Sequence, residues 1–356
     1  MTGLVSEAVA PATAVKGKTP KLMKAAMIVE FNKPLKIIDD APVPQPGPNQ
    51  ILVRITASSL CMSDIMGYQG LTQSPLPYCG GHEPVGVVEG LGPGVVGFKA
   101  GDRVGFMPAS RSCQDCPECL SGNHRFCAAR TSVGFSGPYG GFSEYCLSDP
   151  LSTVKIPDGI SDEAAAPLFC AGVTAYGAVK KAAQRQVGGS VVNIIGCGGV
   201  GHLAIMYAKA MGFSVTSIDI ADEKLELATR CGADVVINSL KTPKQKIPQA
   251  ATTIVISGAT QAYSFALDVT QNHGTIIGVG VPHGLISCDM TQMILRDVSL
   301  IPTNQGSKLE LYESLQLAAL KGIEPVGETK NIKEINQGYE DMKAGKIVGR
   351  IVYTFD

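Results

Sequence analysis

A chain of 356 residues exceeds one ordinary domain and suits two, and 45% hydrophobic content against 17% charged supplies a sizeable core. The formal net charge is -1 and the 30 basic residues form no run or patch, so nothing points to nucleic acid or an anionic membrane as partner. No apolar run reaches the roughly 18 residues of a bilayer span, and the composition is that of a soluble protein.

Residues 1–22 are small, polar and irregular, with Lys16, Lys18 and Lys21 but neither an arginine nor an apolar signal core. A secretory leader is not expected there; the expectation is a disordered extension on a cytoplasmic protein. Eleven cysteines in such a chain read as reduced thiols, and clustered ones as metal ligands before disulfides. Cys79, Cys146, Cys197, Cys231 and Cys288 stand singly and read as small core residues.

From Met23 the chain is strand-like and rich in turns. KAAMIVEF is followed by a connection carrying Pro42, Pro44, Pro46 and Pro48, then by ILVRITASSL, PVGVVEGLG and RVGFM. Short strands so punctuated predict a compact, mostly antiparallel β domain. Within it, Cys113, Cys116, Cys119 and Cys127 give C-x2-C-x2-C-x7-C in a segment with almost no apolar content. Four thiolates on one short loop suit a closed tetrahedral zinc site, and metal binding would fold a segment that burial cannot. An iron–sulfur cluster is the alternative on spacing alone.

After Asp162 the texture changes. DEAAAPLFCAGVTAYGAVKKAAQ reads as helix with a kink near Pro167, and apolar runs at 191–195, 214–219, 234–238, 253–257, 275–279 and 298–301 then alternate with helical spacing. Six strands with helical crossovers make a doubly wound parallel sheet, an α/β Rossmann fold. The first run, interrupted only by Asn193, breaks at Gly196-Cys197-Gly198-Gly199-Val200-Gly201 and passes into a helical pattern. The next strand ends on Asp219, 18 residues after Gly201. In G-x-G-x-x-G, Gly196 permits the bend, Gly198 lets backbone N–H groups approach a pyrophosphate, and Gly201 allows helix and strand to pack. An acid at the second strand's end accepts both adenosine ribose hydroxyls and repels a 2′-phosphate, which predicts NAD(H) over NADP(H). A further helix, Leu309 to Leu320, and a closing strand, GRIVYTF, complete the chain. The strand pattern belongs with the β domain, so the α/β unit is expected as an insertion: 23–170 and 302–356 around 171–301.

Cys61-Met62-Ser63-Asp64 follows a strand, Gly81-His82-Glu83 precedes the next, and Cys170 falls in the helix opening the α/β unit. Singly, each has a structural reading as buried thiol, turn histidine or helix core. Two thiolates and an imidazole would leave a zinc coordination position open, as catalysis requires, but spacing does not join them. The order Cys-x-Ser-Asp, Gly-His-Glu, the four-cysteine lobe, GGFSEY at 140–145, LFCAGVT at 168–174 and the GxGGVG turn resembles the zinc-dependent alcohol dehydrogenases of the medium-chain dehydrogenase/reductase superfamily. The resemblance runs from Met23 to Asp356. It implies a GroES-like catalytic domain, with Cys61, His82 and Cys170 as ligands of a catalytic zinc and Glu83 as an alternative ligand. By the same resemblance Asp64 orients His82, and Ser63 bonds the substrate hydroxyl and takes its proton. Thr174, Val200 and Val279 line the nicotinamide, Lys224 reaches the ribose beside Asp219, and Arg350 pairs with the pyrophosphate. Two zincs per chain and NAD are the implied cofactors.

A cysteine at position 170, where polyol-type relatives commonly carry glutamate, places the chain nearer the simple alcohol dehydrogenases. The short stretch between Cys127 and Cys170 resembles microbial tetramers. Three positions depart from the family pattern. Met66 stands where a histidine usually completes a proton relay, Met62 where a basic residue often meets the pyrophosphate, and Pro302-Thr303-Asn304 alters a small, glycine-containing joint. The implied reaction is hydride transfer between NAD(H) and an alcohol/aldehyde or ketone pair, working as a carbonyl reductase, with substrate size set around Leu76, Met107, Pro138 and Tyr139. Reduction of a conjugated C=C or C=N bond on the same scaffold is the alternative enzyme. A non-catalytic binding protein is the alternative class, against which the full ligand and cofactor sets argue.

Overall fold

A computed structural model describes residues 19–282 and 284–355. Of the predicted extension, residues 1–18 lie outside these, and Leu22 already opens the first strand, Leu22–Ile28. The described chain divides into two compact units: up to Ile156 with Thr329–Lys343 and from Val352 onward, and Pro157–Glu328 with Ala344–Ile351.

The first unit is built on antiparallel strands in the order Thr153–Lys155, Arg103–Phe106, Pro84–Leu91, Ile51–Leu60, with Tyr145–Ser148 also paired to Ile51–Leu60; the sheet continues through Arg350–Thr354 and Gly327–Asn331, whose residues are divided between the two units. Alternate residues of Ile51–Leu60 face a core of Ile51, Val53, Ile55, Val88, Val104 and Phe106. Glycine lets two of these strands meet. A Cβ on Gly86 would stand 2.0 Å from the Arg54 carbonyl oxygen, so no larger residue fits between Pro84–Leu91 and its neighbour. The closing strand, Arg350–Thr354, joins this sheet from the far end of the sequence.

The second unit holds a six-stranded sheet in the order Val235–Asn238, Ser214–Asp219, Val191–Ile195, Ala250–Val255, Thr270–Gly278, Ser299–Pro302. Every pairing in it is parallel. Counted from Val191–Ile195 this is 3-2-1-4-5-6, the doubly wound Rossmann order, with strand order reversing beside Val191–Ile195. Ligands of such sheets bind outside the carboxyl ends of the strands at that reversal, where Gly196 and Asp219 lie. Asn193, the one polar break in the central strand, is fully buried, and its amide donates to the Pro248 and Val269 carbonyls at 3.0 and 2.9 Å. Those bonds offset part of the cost of burying an amide, about 1–3 kcal/mol by mutational measures, while the buried Oδ1 finds no hydrogen-bond donor among the described residues.

The helix Lys308–Lys321 starts at a capping box. Ser307 Oγ accepts from Glu310 N at 3.2 Å, and Glu310 Oε2 accepts from Ser307 N at 2.7 Å. The helical segment after Asp162 is interrupted more sharply than a kink. A short helix, Asp162–Ala165, tightens into a 3-10 turn, Ala166–Phe169, and the chain restarts as Ala171–Ala183. Cys170 therefore caps a helix start at φ -132°, ψ -65°, rather than sitting within a helix.

Among the singly placed cysteines, Cys79, Cys146, Cys197 and Cys231 are buried, whereas Cys288 is only partly so, packed against the second unit's core. Burial pushes the Cys79 thiol up to about 12 and that of Cys197 likewise, so both stay protonated and inert at neutral pH. All eleven cysteines are free thiols.

Candidate active site

In the first unit, strand Ile51–Leu60 delivers Cys61 to the N-cap of a short helix, Met62–Tyr68. Asp64, three residues on, turns back. Its Oδ2 accepts from the Cys61 backbone N–H at 3.0 Å, and its Oδ1 accepts from Gly81 N at 3.0 Å. Oδ1 also lies 3.0 Å from His82 Nδ1. One carboxylate thus ties the helix start to the turn before the next strand. That turn needs glycine, because Gly81 has φ +86° and a Cβ there would meet the Phe142 nitrogen at 2.7 Å.

With Nδ1–H directed at Asp64, Nε2 of His82 is left as the ligand atom. Ligand atoms of Cys61, His82 and Glu83 all lie within 4.8 Å of one another, and the residues are 8%, 1% and 0% exposed. Burial opposes a charge on His82, but the adjoining Asp64 carboxylate outweighs it and holds the imidazole well above its ordinary value. A cation entering here displaces a proton. A thiol, an imidazole and two carboxyl groups buried together are costly in a low dielectric unless a cation neutralises them, and this donor set suits zinc. Ser63 is half-buried beside the group, Met62 is exposed and Met66 is partly buried.

The lobe at 113–127 differs. All four sulfurs lie within 4.8 Å of one another, with Cys113 Sγ 3.9 Å from that of Cys119 and 3.5 Å from that of Cys127. Sulfurs on one tetrahedral zinc stand about 3.8 Å apart, from Zn–S bonds of about 2.3 Å, so the arrangement fits that ion. Backbone N–H groups of Asp115 and Cys116 lower the Cys113 thiol to about 6, and the Cys113 N–H lowers Cys127 in the same way. The loop's backbone thus favours thiolate, the form that binds metal, at Cys113 and Cys127, whereas at Cys116 the lowering by the Cys119 N–H is outweighed by burial and the neighbouring sulfurs, which push that thiol up to about 11.

The second unit carries the glycine turn. Gly196 has φ +96°, and a Cβ on Gly201 would lie 1.9 Å from the Gly196 carbonyl oxygen. A Cβ on Gly198, by contrast, would meet nothing within 4 Å. The first and last glycines are demanded by the chain itself, while the middle one faces open space at the start of helix Gly201–Ala210, where backbone N–H groups can hold a pyrophosphate. Asp219 is 8% exposed. Its Oδ2 accepts from Cys197 N at 2.8 Å, and its Oδ1 from Ile220 N at 2.7 Å and Ala221 N at 3.1 Å. The carboxylate is fixed by three backbone donors, which occupy both lone pairs of Oδ1 and one of Oδ2, and it keeps acceptor capacity on Oδ2 for a further donor. Gly199 lies against Arg350, since a Cβ there would come 3.2 Å from its Nη1.

Lys224, Val200, Thr174 and Val279 are each partly exposed in this unit, and Val279 N bonds Val255 O at 2.9 Å at the end of its strand. Cys170 is buried, four residues before Thr174, whose N–H it accepts at 3.0 Å.

Two residues escaped the sequence reading. Tyr263 donates its hydroxyl to Gly280 O at 2.5 Å, pinning the loop after Thr270–Gly278. His202 is completely buried directly after the turn. A histidine inside an otherwise apolar helical pattern was the available signal for it.

Two family models match, an alcohol dehydrogenase GroES-like domain at residues 47–158 and a zinc-binding dehydrogenase at 199–320. An alcohol dehydrogenase of Geobacillus stearothermophilus is 38% identical, over 94% of this chain and 100% of its own. One from Schizosaccharomyces pombe is 32% identical over 88% and 92%. Among solved structures, acetophenone reductase from Geotrichum candidum in complex with NAD superposes with a TM-score of 0.85 at 31% identity, covering 95% of this chain and 98% of that one. The alcohol dehydrogenase of Aeropyrum pernix gives 0.86 at 32%, covering 93% and 99%. Carrying the donor set, the four-cysteine lobe and the Rossmann turn in that order, the chain belongs to the zinc-type medium-chain alcohol dehydrogenases, oxidoreductases acting on alcohol and carbonyl groups.

Proposed function

We propose that the enzyme interconverts alcohols with aldehydes or ketones using NAD(H), and that it works chiefly as a carbonyl reductase. The observation carrying this is the buried set of Cys61, His82 and Glu83, its imidazole oriented by Asp64. Cys170 adds the second sulfur of the catalytic zinc site, and Glu83 serves as the exchange ligand. A second zinc belongs to Cys113, Cys116, Cys119 and Cys127. Zinc at the first site would make an alcohol hydroxyl more acidic or a carbonyl more electrophilic.

The residues of the chain do the rest. Ser63 would take the hydroxyl proton in oxidation while releasing its own toward solvent, and in reduction it would give its proton to the carbonyl oxygen while regaining one from solvent. Thr174, Val200 and Val279 would orient a bound nicotinamide, which would supply the chemistry of hydride transfer. Asp219 holds the adenosine ribose with Lys224 beside it, and Arg350 meets the pyrophosphate. Leu76, Met107, Pro138 and Tyr139 set substrate size. The preference for NAD(H) rests on Asp219, whose charge faces any 2′-phosphate.

A homotetramer in the cytosol fits the surface. Leu285, Ile294 and Leu295 are 99%, 70% and 80% exposed, and among the described residues Ser299–Pro302 is the last strand of its sheet. Free thiols suit a reducing compartment.

The test is a panel of alcohols, aldehydes and ketones with both cofactors, together with metal analysis and NADH carrying deuterium at C4. Two zincs per chain and deuterium on the carbinol carbon are expected. Deuterium delivered only to a conjugated C=C or C=N bond would replace this reading with the alternative one.

A further inference from the structure

His202 lies one residue past the last glycine of the turn and is 0% exposed. Both ring nitrogens are engaged by backbone. Nδ1 is 3.0 Å from Gly198 O, a group that only accepts, so Nδ1 carries the proton. Nε2 accepts from Val326 N at 3.1 Å, so it carries none. The imidazole is held neutral in one tautomer, and burial, reinforced by the Arg350 charge, lowers it to about 4.

What those two bonds join gives the histidine its meaning. Gly198 is the glycine whose Cβ position opens on empty space, where the proposed reading puts the pyrophosphate. Val326 is locked to the strand carrying Arg350. Its carbonyl accepts from Arg350 N at 2.9 Å, and a Cβ on Gly349 would stand 2.1 Å from the same oxygen. Adjacent Gly327 is pressed equally close, with a Cβ there only 2.0 Å from Arg350 O. Arg350 then returns to the turn against Gly199. The circuit runs Gly198, His202, Val326, Arg350, Gly199, and closes on itself.

We infer that His202 is a positioning residue for the dinucleotide: it clamps Val326 to the glycine turn and so fixes where the Arg350 guanidinium stands over the pyrophosphate site. It touches no cofactor atom. Helix Gly201–Ala210 would form without it, because Leu203, Ala204, Tyr207 and Ala208 already bury that helix. A histidine in this apolar setting costs desolvation, which the two backbone bonds repay only if the junction matters. The inference rests on the proposed roles of NAD(H) and Arg350.

The experiment is NADH titration by fluorescence enhancement on full-length wild type, His202→Asn, His202→Gln, Arg350→Ala and the His202→Asn/Arg350→Ala double variant. Thermal melts of each accompany the titrations. Asparagine reaches the Nδ1 position and keeps the Gly198 bond but loses Val326. Glutamine reaches the Nε2 position and keeps an acceptor for Val326. The expected result is about a tenfold weaker Kd for Asn, partial rescue by Gln, and no further loss when Asn is added to Arg350→Ala, because the clamp acts through that arginine. In steady state the loss falls on KM for the cofactor rather than on kcat. Additive losses in the cycle, or equal losses for Asn and Gln tracking only a fall in Tm, would overturn the inference and assign His202 to stability alone. Wild-type Kd for Asn, or for Arg350→Ala, would overturn it as well. Failure of the underlying reading looks different: wild type itself would then give no NADH signal.

Discussion

The two cysteine-bearing sites are opposites in construction. The 113–127 lobe draws four sulfurs from fifteen consecutive residues, stands partly in solvent, and lowers two of its thiols, Cys113 and Cys127, with its own backbone N–H groups. The other site takes Cys61 from a strand end and His82 and Glu83 from a turn 20 residues on, buries all three, and needs Asp64 to hold them together. A site whose ligands are local has little scaffold, so the ion must act as scaffold. A site whose ligands are dispersed is built by the fold, so the ion is left for chemistry.

That contrast predicts separable failures. Cys61→Ser should cut turnover by about 10³-fold or more, since on the proposed reading it removes a ligand of an ion that would supply several kcal/mol of transition-state stabilisation. Melting temperature and NADH binding should change little. Loss of NADH binding together with activity would show that the dispersed site is itself structural. Cys116→Ser should do the reverse, lowering Tm by about 10 °C or causing aggregation, because the lobe has no apolar core to fall back on. A soluble, fully active Cys116→Ser enzyme with unchanged Tm would remove the structural role from the lobe.

The same contrast decides what could be read without coordinates. Spacing alone exposes the lobe, because its ligands are neighbours in sequence, and the sheet of the second unit is equally legible, because six short apolar runs separated by helices have one common solution. The dispersed ligands became a set only through resemblance. Nothing in the spacing from Cys61 to His82 encodes the Asp64 bridge, which depends on Gly81 taking a left-handed φ and on the helix start folding Asp64 back. Cys170 was placed within a helix because its flanks have helical composition. The 3-10 turn at Ala166–Phe169, with Pro167 in its first turn, breaks that run and leaves the thiol at a helix start. His202 was missed for a related reason: the partner that defines it, Val326, is 124 residues away.

Met66 bears on the chemistry of the dispersed site. It follows Ser63 by one helical turn on Met62–Tyr68, and a thioether there cannot accept a proton that Ser63, in the role proposed for it, would pass on. Alcohol oxidation should therefore be slow near pH 7 and climb steadily with pH, as the proton leaves to water and hydroxide, while carbonyl reduction, drawing its proton from solvent, is less impaired. Met66→His should raise oxidation at neutral pH by up to about 10²-fold and introduce a plateau governed by a group titrating near 7. The check is a pair of pH–rate profiles under conditions where hydride transfer shows a primary isotope effect. A wild-type profile already flat above 7, or one that the substitution leaves unchanged, would end the directional argument.

The smallest effect expected is at Asp219, and it sharpens the comparison from the side of the cofactor. Its carboxylate has two tasks in this structure. Oδ1 caps the Ile220 and Ala221 N–H groups, while Oδ2 steadies the glycine turn through the Cys197 N–H and keeps the acceptor capacity that the proposed ribose contact would use. Substitution therefore cannot act on cofactor choice alone. Asp219→Ser removes the repulsion toward a 2′-phosphate and should narrow the NAD(H) over NADP(H) preference by about tenfold, the scale of one charged hydrogen bond worth about 1.5–3 kcal/mol. It also leaves the Cys197 N–H without its carboxylate, so kcat/KM with NAD(H) should fall at the same time and the narrowing should come more from lost NAD(H) efficiency than from gained NADP(H) efficiency. Measuring kcat/KM for both cofactors in wild type and variant separates the two contributions. A variant that gains on NADP(H) while keeping full NAD(H) efficiency would show that the turn does not depend on Asp219. Equal wild-type efficiency with the two cofactors would remove the residue from cofactor selection altogether.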